Sequence, residues 1–547
     1  DAGLAAGWMD GRMFDRSILV PFCYQSAASG IHDLAQHEIF WYKRTFECPE
    51  TFPGKRVFLH FGAVDYEATV WVNGVQEGSH LGGHVPFHMD ITRCLQAGEN
   101  TLAVRVVDRF ECVQPRGKQA WLPEPDRCWY TATSGIWQTV WLEATGPVSL
   151  ERIRFTPDID HRRVAVEIEL DRFESGLTAE LRIGFQGKPV LDLRSDIASR
   201  IFTLTLDLPA TDRMTDIHYW SPEHPWLYDA DIVLSADGWV VDHVGSYFGM
   251  RKISVQGDLV LLNNRPYVQK LVLDQGYWPD TLLTPPSDEA IRLDIEMTKK
   301  LGFNGARKHQ KIEDPRYYYW ADRLGLLVWG EMPGGYAFHT REMENLVREW
   351  TDFINRDYNH PCIVAWVPLN ESWGVREIYA NRSQQAFARS LYHLTKGLDT
   401  TRLVSTNDGW EQVESDLCAI HDYVAEGTEF TRRYEDLEAV LRGDAQGRML
   451  YCEGVSYAGQ PILMTEYGGI AFARDATSGQ WGYFGAVSDE EAFFARYGGI
   501  TGAIRSMPWI RGYCYTQLTD VMQEVNGLLT ADRRPKVDMD RVREINR

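Results

Sequence analysis

The chain has 547 residues, 44% of them hydrophobic and 24% charged, which is enough material for more than one packed domain. Its formal net charge is -21, from 56 basic and 77 acidic residues, so partnership with nucleic acid or an anionic lipid surface is not expected. No apolar run is long enough to span a bilayer, no glycine-rich phosphate loop occurs, and nine scattered cysteines without a CxxC pair give no zinc signature.

In chain order, the first stretches read as strands. RVFLHF (56–61), ATVWVN (68–73), NTLAVRVV (100–107) and QTVWLEA (138–144) are β-rich and bounded by Gly, Pro, Asn or Asp, and Asn73-Gly74 marks a hairpin. Gly146-Pro147 breaks the pattern. A second β series follows in VAVEIEL (164–170), AELRIGF (179–185), SRIFTLTLDL (199–208) and YDADIVLSA (228–236), which fits one β-sandwich. From about residue 258, short apolar runs alternate with amphipathic helical stretches. DEAIRLDIEMTKKLG (288–302), REMENLVREWTDFINRDY (341–358) and ANRSQQAFARSLYHLTKGLD (380–399) read as helices. GLLVWGEMP, IVAWVPLN, RLVSTNDGW, PILMTEYGG and GYCYTQLTD read as strands. This alternation implies a parallel (β/α)8 barrel. The expected architecture is therefore a β-sandwich at 1–146, an immunoglobulin-like sandwich at 147–254 and a barrel at 255–547.

The chemistry sits at the ends of the apolar strands, where barrels place reactive groups. IVAWVPLN runs into Glu371, and PILMT runs into Glu466. A charge that follows a buried strand needs a partner or a shifted pKa. A rim salt bridge is one reading of such a residue. Two glutamates in matching contexts also suit glycosidic bond cleavage, in which one carboxyl gives a proton to the leaving oxygen and the other attacks the anomeric carbon.

WYKRTFECP (41–49), LHFGAVDYEATVWVNG (59–74), SGIWQTVWLE (134–143), GFNGARKHQ (302–310), WADRLGLLVWGEMP (320–333) and NHPCIVAWVPLNESWG (359–374) resemble glycoside hydrolase family 2, the family of β-galactosidases, β-glucuronidases and β-mannosidases. The resemblance covers nearly the whole chain. It implies an N-terminal jelly-roll-like sandwich, an immunoglobulin-like sandwich and a catalytic barrel, with Glu371 as acid/base and Glu466 as nucleophile of a retaining exo-glycosidase. Asn370 would donate to a sugar hydroxyl beside the reacting carbon. Tyr423 is a candidate to hold the nucleophile ionised, and Arg307 to fix a catalytic carboxylate; a structural rim role competes for both. His309 would bind a sugar hydroxyl or be a satisfied buried histidine. Glu331 would join the Arg307 network. Asp274 and Trp278 stand where the family builds its sugar pocket, or else form a turn with a packed Trp. Trp373 and Gln517 complete the substrate-binding candidates, while His421 and Asp422 face the expected mouth with no settled role.

Two departures bear on the substrate. The lysine that pairs with a glucuronate carboxylate aligns with Leu528, which argues for a neutral sugar. The Trp that commonly floors the sugar site is replaced by Thr516-Gln517, which keeps a furanoside open beside the favoured β-galactoside. A carbohydrate-binding protein without catalysis is the alternative from another class. The expected partner is carbohydrate, with no cofactor, metal, nucleic acid or membrane, and a homo-oligomer is left open. The expected location is cytoplasmic, with export left open because the sequence begins at Asp1.

Overall fold

A computed structural model describes the chain apart from residues 11–13, 53, 210–216, 444, 473–479 and 484. Alternation in the first β series folds into two antiparallel sheets. One pairs Ile39–Glu47, Glu99–Val107, Glu67–Val72 and Val75–Leu81; the other pairs Phe87–Asp90, Arg56–Phe61 and Val140–Thr145. Val57, Leu59, Phe61, Val70, Val72, Val104 and Val106 fill the space between them. The hairpin at Asn73-Gly74 forms as the sequence implies, with φ of 50° and 78°, a left-handed pair that Asn and Gly tolerate.

The second β series makes a separate sandwich. Leu150–Asp158, Arg163–Leu170 and Ile201–Asp207 face Lys188–Asp196, Leu177–Phe185, Tyr228–Ala236 and Trp239–Phe248. Strict alternation in Arg163–Leu170 sends Val164, Val166, Ile168 and Leu170 into its core. Trp220 docks this unit on the barrel by donating from Nε1 to the Asp322 carbonyl at 2.8 Å.

The barrel strands are β1 (Gln269–Asp274), β2 (Gly305–Lys308), β3 (Leu327–Glu331), β4 (Ile363–Val367), β5 (Leu403–Val404), β6 (Cys418–His421), β7 (Ile462–Gly468) and β8 (Ile510–Thr516). All are parallel, and β1 pairs with both β2 and β8, which brings the two ends of the series together. Among the described residues the seam without a ladder lies between β5 and β6. The strands are buried on both faces, hence their unbroken apolar runs. The helix Asp288–Lys300 shows how the outer ring is built. Ser287 caps its N-terminus by accepting from the Ala290 amide, acids occupy its first turn and lysines its last, and Ile291 and Ile295 face the strands. Among the described residues no helix is long and apolar enough to cross a membrane.

The first sandwich also reaches over the barrel mouth. The Arg116 and Gly117 amides donate to the Gly334 carbonyl at 3.0 Å, and Tyr336 donates to the Gly117 carbonyl. Further along the same segment, Trp481 Nε1 and Gln523 Nε2 donate to the Arg127 carbonyl at 2.9 and 2.6 Å. Residues 116–130 thus lie against the loops at the barrel mouth.

Candidate active site

β4 ends with a short parallel pairing of Leu369–Asn370 and Asn407–Asp408. The chain then turns so sharply that Glu371 and Ser372 take φ of 52° and 58°, an unfavourable region for such residues. The turn is held from the next strand: the Glu371 amide donates to the Asp408 carbonyl at 2.9 Å and the Ser372 amide to Asn407 Oδ1 at 3.0 Å. β7 extends through Glu466 without a break. A carboxylate oxygen of Glu371, a ring nitrogen of His421 and a carboxylate oxygen of Glu466 all lie within 4.8 Å of one another.

Arg307, fully buried at the end of β2, ties the site together. Its Nε donates to Glu331 Oε2 at 2.7 Å, its Nη1 faces Glu466 Oε1 and Asp408 Oδ1 at 3.0 Å each, and its Nη2 donates to Asn370 Oδ1 at 2.6 Å. Because the Asn370 oxygen is taken, its Nδ2 points the other way and finds no partner among the described residues, a buried donor left over. Tyr423 donates to the second oxygen of Glu466 and stacks on Tyr483, with ring centroids 3.5 Å apart. His309 Nδ1 sits 3.1 Å from Glu331 Oε1 and 4.0 Å from Glu466 Oε1, and burial holds its pKa well below the ordinary imidazole value.

His421 lies between two acids, with Nδ1 2.8 Å from Glu371 Oε1 and Nε2 2.8 Å from Asp408 Oδ1. Ionised carboxylates only accept, so with both acids ionised both nitrogens donate and the ring is an imidazolium. Burial works against that charge, but Glu466, Asp408 and Glu371 raise its pKa to about 9. Burial likewise works against ionised Glu371, but the hydrogen bond and charge of His421, then Lys118, hold it down to about 2. Burial pushes Glu331 up to about 7, while Arg307 pulls the other way. The Glu371–His421–Glu466 group has the residue types of a metal site, and His421 within it is hydrogen-bonded to Glu371 and Asp408.

Of the residues expected at the site, Glu371, Glu466, Asn370, Arg307, Glu331, His309 and Tyr423 converge. Trp373 lies beside them in an aromatic wall, its ring 5.4 Å from Trp129 of the first sandwich and 5.3 Å from Tyr336. Gln517 is in the floor with its amide already engaged: Oε1 accepts from Gln275 and Nε2 donates to Asn526, in a ring that closes through Glu524 and Tyr130.

Two of the expected pocket residues have partners outside the glutamate group. Asp274 does not join the glutamates; its carboxylate pairs with Lys308 Nζ at 2.9 Å and accepts from the Gly276 amide at 2.9 Å. Trp278 packs under the Arg533 guanidinium, 3.3 Å from its ring centre, in a cluster anchored on Asp294. Leu528 is enclosed in the barrel core. A buried cation is present in Lys118, from the sandwich wall, and its charge acts on Glu371 and Glu466. Sequence reasoning missed Lys118 and Asp408. The latter had a signal, an acid at the end of RLVSTNDGW, another strand directed into the same mouth.

Three family models divide the chain among them: the sugar binding domain of glycosyl hydrolases family 2 over residues 9–145, a further glycosyl hydrolases family 2 domain over 148–251, and the family's TIM barrel domain over 253–547. The chain belongs to glycosyl hydrolases family 2. A β-galactosidase of Thermoanaerobacter pseudethanolicus is 28% identical over 358 residues, 64% of this chain and 47% of that protein. A β-glucuronidase of Paenibacillus borealis is 26% identical over 466 residues, 79% of this chain and 74% of that protein. The alignment thus spans about half the length of the first of these relatives. Among solved structures, a β-glucuronidase from Ruminococcus gnavus superposes with a TM-score of 0.79 at 18% identity, over 100% of this chain and 95% of that one. The β-glucuronidase of Bacteroides uniformis gives 0.77 at 21%, over 96% and 66%. These two likenesses carry the family 2 fold.

Proposed function

We propose that this family 2 chain is a retaining exo-glycosidase in which Glu466 attacks the anomeric carbon and Glu371 moves the proton to and from the exocyclic oxygen. The observation that carries this reading is the approach of the two carboxylates, with oxygens within 4.8 Å of each other in a buried cleft. Retaining enzymes hold this pair about 5–5.5 Å apart, whereas inverting ones leave room for a water between. Arg307 and Tyr423 donate to the two oxygens of Glu466 and orient it for attack. The left-over Nδ2 of Asn370 suits a sugar hydroxyl next to the reacting carbon, a contact that strengthens in the transition state. The sandwich wall over the barrel mouth favours cleavage of terminal residues over cleavage within a polymer.

For the sugar, a terminal β-galactoside fits best. The floor ring of Gln275, Gln517, Asn526, Glu524 and Tyr130 contains no cation, which suits a neutral sugar ring. A β-glucuronide is the second reading, favoured by Lys118, a buried cation that forms no ion pair among the described residues. The test is kcat/KM on nitrophenyl β-galactopyranoside, β-glucuronide, β-mannoside, β-galactofuranoside and α-L-arabinofuranoside. The galactopyranoside should lead. A leading glucuronide whose rate collapses in Lys118→Met would establish the second reading, and a leading furanoside would assign specificity to the Thr516-Gln517 floor. Binding without turnover on all five would return the chain to the carbohydrate-binding class.

A further inference from the structure

The polar groups around Trp373 are short of acceptors. Gly117, with φ of 60°, lets the first sandwich close on the barrel loops; a Cβ there would lie 2.2 Å from the Gln310 carbonyl oxygen. Gln310 is buried. Its Oε1 accepts from the Gly334 amide at 3.1 Å, which leaves Nε2 as a donor without a partner among the described residues. A Cβ on Gly334 would lie 3.1 Å from Gln310 Oε1 and 3.9 Å from Trp373 Cβ, so the Gln310 amide and Trp373 are neighbours. Trp373 Nε1 is a second buried donor without a partner among the described residues. Trp129 and Tyr336 flank the same ring, but their polar atoms are used: Trp129 Nε1 donates to the Tyr336 hydroxyl at 2.8 Å, and Tyr336 donates to the Gly117 carbonyl. Lys118 comes next in the chain. It is buried and forms no ion pair among the described residues; Glu371 and Glu466 act on its ammonium without reaching contact. Buried donors ordinarily find acceptors, and a buried lysine is ordinarily paired.

We propose, resting on the glycosidase reading above, that Gln310, Trp373 and Lys118 form a leaving-group subsite for a ring that carries an anionic substituent, a carboxylate or a sulfate. Trp373 stands just past Glu371, beyond the turn that presents the acid/base. Groups beside it border the exocyclic oxygen, on the side of the group that leaves. Two neutral N–H donors and an ammonium call for an acceptor with negative charge. A hydroxyl would satisfy one of the three and leave the lysine without a counter-ion in contact. The rings of Trp129, Tyr336 and Trp373 supply apolar surface for the leaving ring itself. Glu371 and Glu466 repel an incoming anion, and the Lys118 ammonium offsets that repulsion. Arg376 adds a second positive charge at the rim, its guanidinium 4.5 Å from the centre of the Trp373 ring. The glucuronide reading puts the anion on the sugar that is transferred; this one puts it on the group that departs. Substrates carrying only one of the two charges separate them. Because an acceptor enters where the leaving group departed, the same preference extends to acceptors in the second step.

The experiment takes the glycone that leads in the nitrophenyl series and compares kcat/KM for three aryl leaving groups of similar leaving ability, bearing a carboxylate, a sulfate or a carboxamide. In the full chain at least one anionic substrate should exceed the amide on the order of tenfold or more, and the faster of the two assigns the anion. Each ratio is taken within one protein, so any effect of a variant on Glu371 or Glu466 cancels. In Lys118→Met the acid-to-amide ratio should fall to about one, while Lys118→Arg keeps most of it. Gln310→Glu retains the acceptor for the Gly334 amide and replaces the unused donor with an oxygen; it should lower the ratio as well, and it serves if Lys118→Met does not fold. A ratio near one in the unaltered enzyme overturns the subsite. So does a ratio that survives Lys118→Met or Gln310→Glu, or a dependence on Lys118 that follows the charge of the glycone whatever the leaving group. Absence of turnover on every glycoside would remove the glycosidase reading itself; turnover without preference for an acidic leaving group removes this proposal alone.

Discussion

Arg307 and Lys308 are neighbours on β2, both buried, and they enter opposite kinds of network. Lys308, together with Lys311, meets Asp274 and Glu313, so two cations face two carboxylates. Arg307 and His421 face Glu331, Asp408, Glu371 and Glu466, two cations among four acids. The alternation of a strand sends adjacent side chains to opposite faces, which is why one residue's difference in position separates the two groups. A balanced cluster acts as scaffold. In the acid-rich one burial pushes Glu331 up to about 7, while at Glu371 the hydrogen bond and charge of His421 outweigh burial and hold it down to about 2. Such divergent values mark groups that exchange protons during a reaction.

The comparison breaks first at Glu466. Glu466→Ala should lower kcat on the order of 10^4-fold or more, with partial recovery in azide or formate because a small anion can enter the vacated space; retention of most activity would empty the acid-rich cluster of its meaning. Next comes the contrast on β2. Arg307→Met and Lys308→Met each remove one side of a buried ion pair and should each cost about 3–5 kcal/mol in denaturant unfolding. Only Arg307→Met should also reduce kcat/KM of the folded protein, on the order of 10²–10³-fold. Equal activity in the two variants would mean that the clusters do not differ in kind. The smallest effect is a slope. Burial lifts the Glu331 pKa from an ordinary 4.5 to about 7, so the folded state binds that proton more tightly than the unfolded one. Its contribution to stability is present below about 4.5 and lost as pH rises through about 7. Glu331→Gln should flatten Tm against pH across that window, and an unchanged slope would assign the titration elsewhere.

The sequence made the two glutamates legible because each ends an apolar run long enough to be a buried strand, and made Arg307 and Glu331 legible for the same reason. Asp408 escaped because its strand is broken: Leu403–Val404 and Asn407–Asp408 are separate pieces, and the polar STND stretch hides the periodicity. Asp274 and Trp278 present the opposite difficulty. Both stand at the expected end of β1, but Lys308 and Arg533 recruit them, and nothing local in LVLDQGYWPD reports those distant partners. Lys118 belongs to a loop without periodicity, and its place at the pocket depends on how one domain lies on another.

The wall formed by residues 116–130 has a consequence for how specificity can change. The reacting groups all come from one barrel, but the surfaces a substrate meets on its way in are shared, Trp129 from one domain against Trp373 and Tyr336 from another. A barrel grafted onto a related sandwich would keep its acids and acquire a foreign vestibule. Exchange of this short segment between relatives, with every catalytic side chain untouched, is therefore a route by which one chemical engine can be fitted to different glycosides.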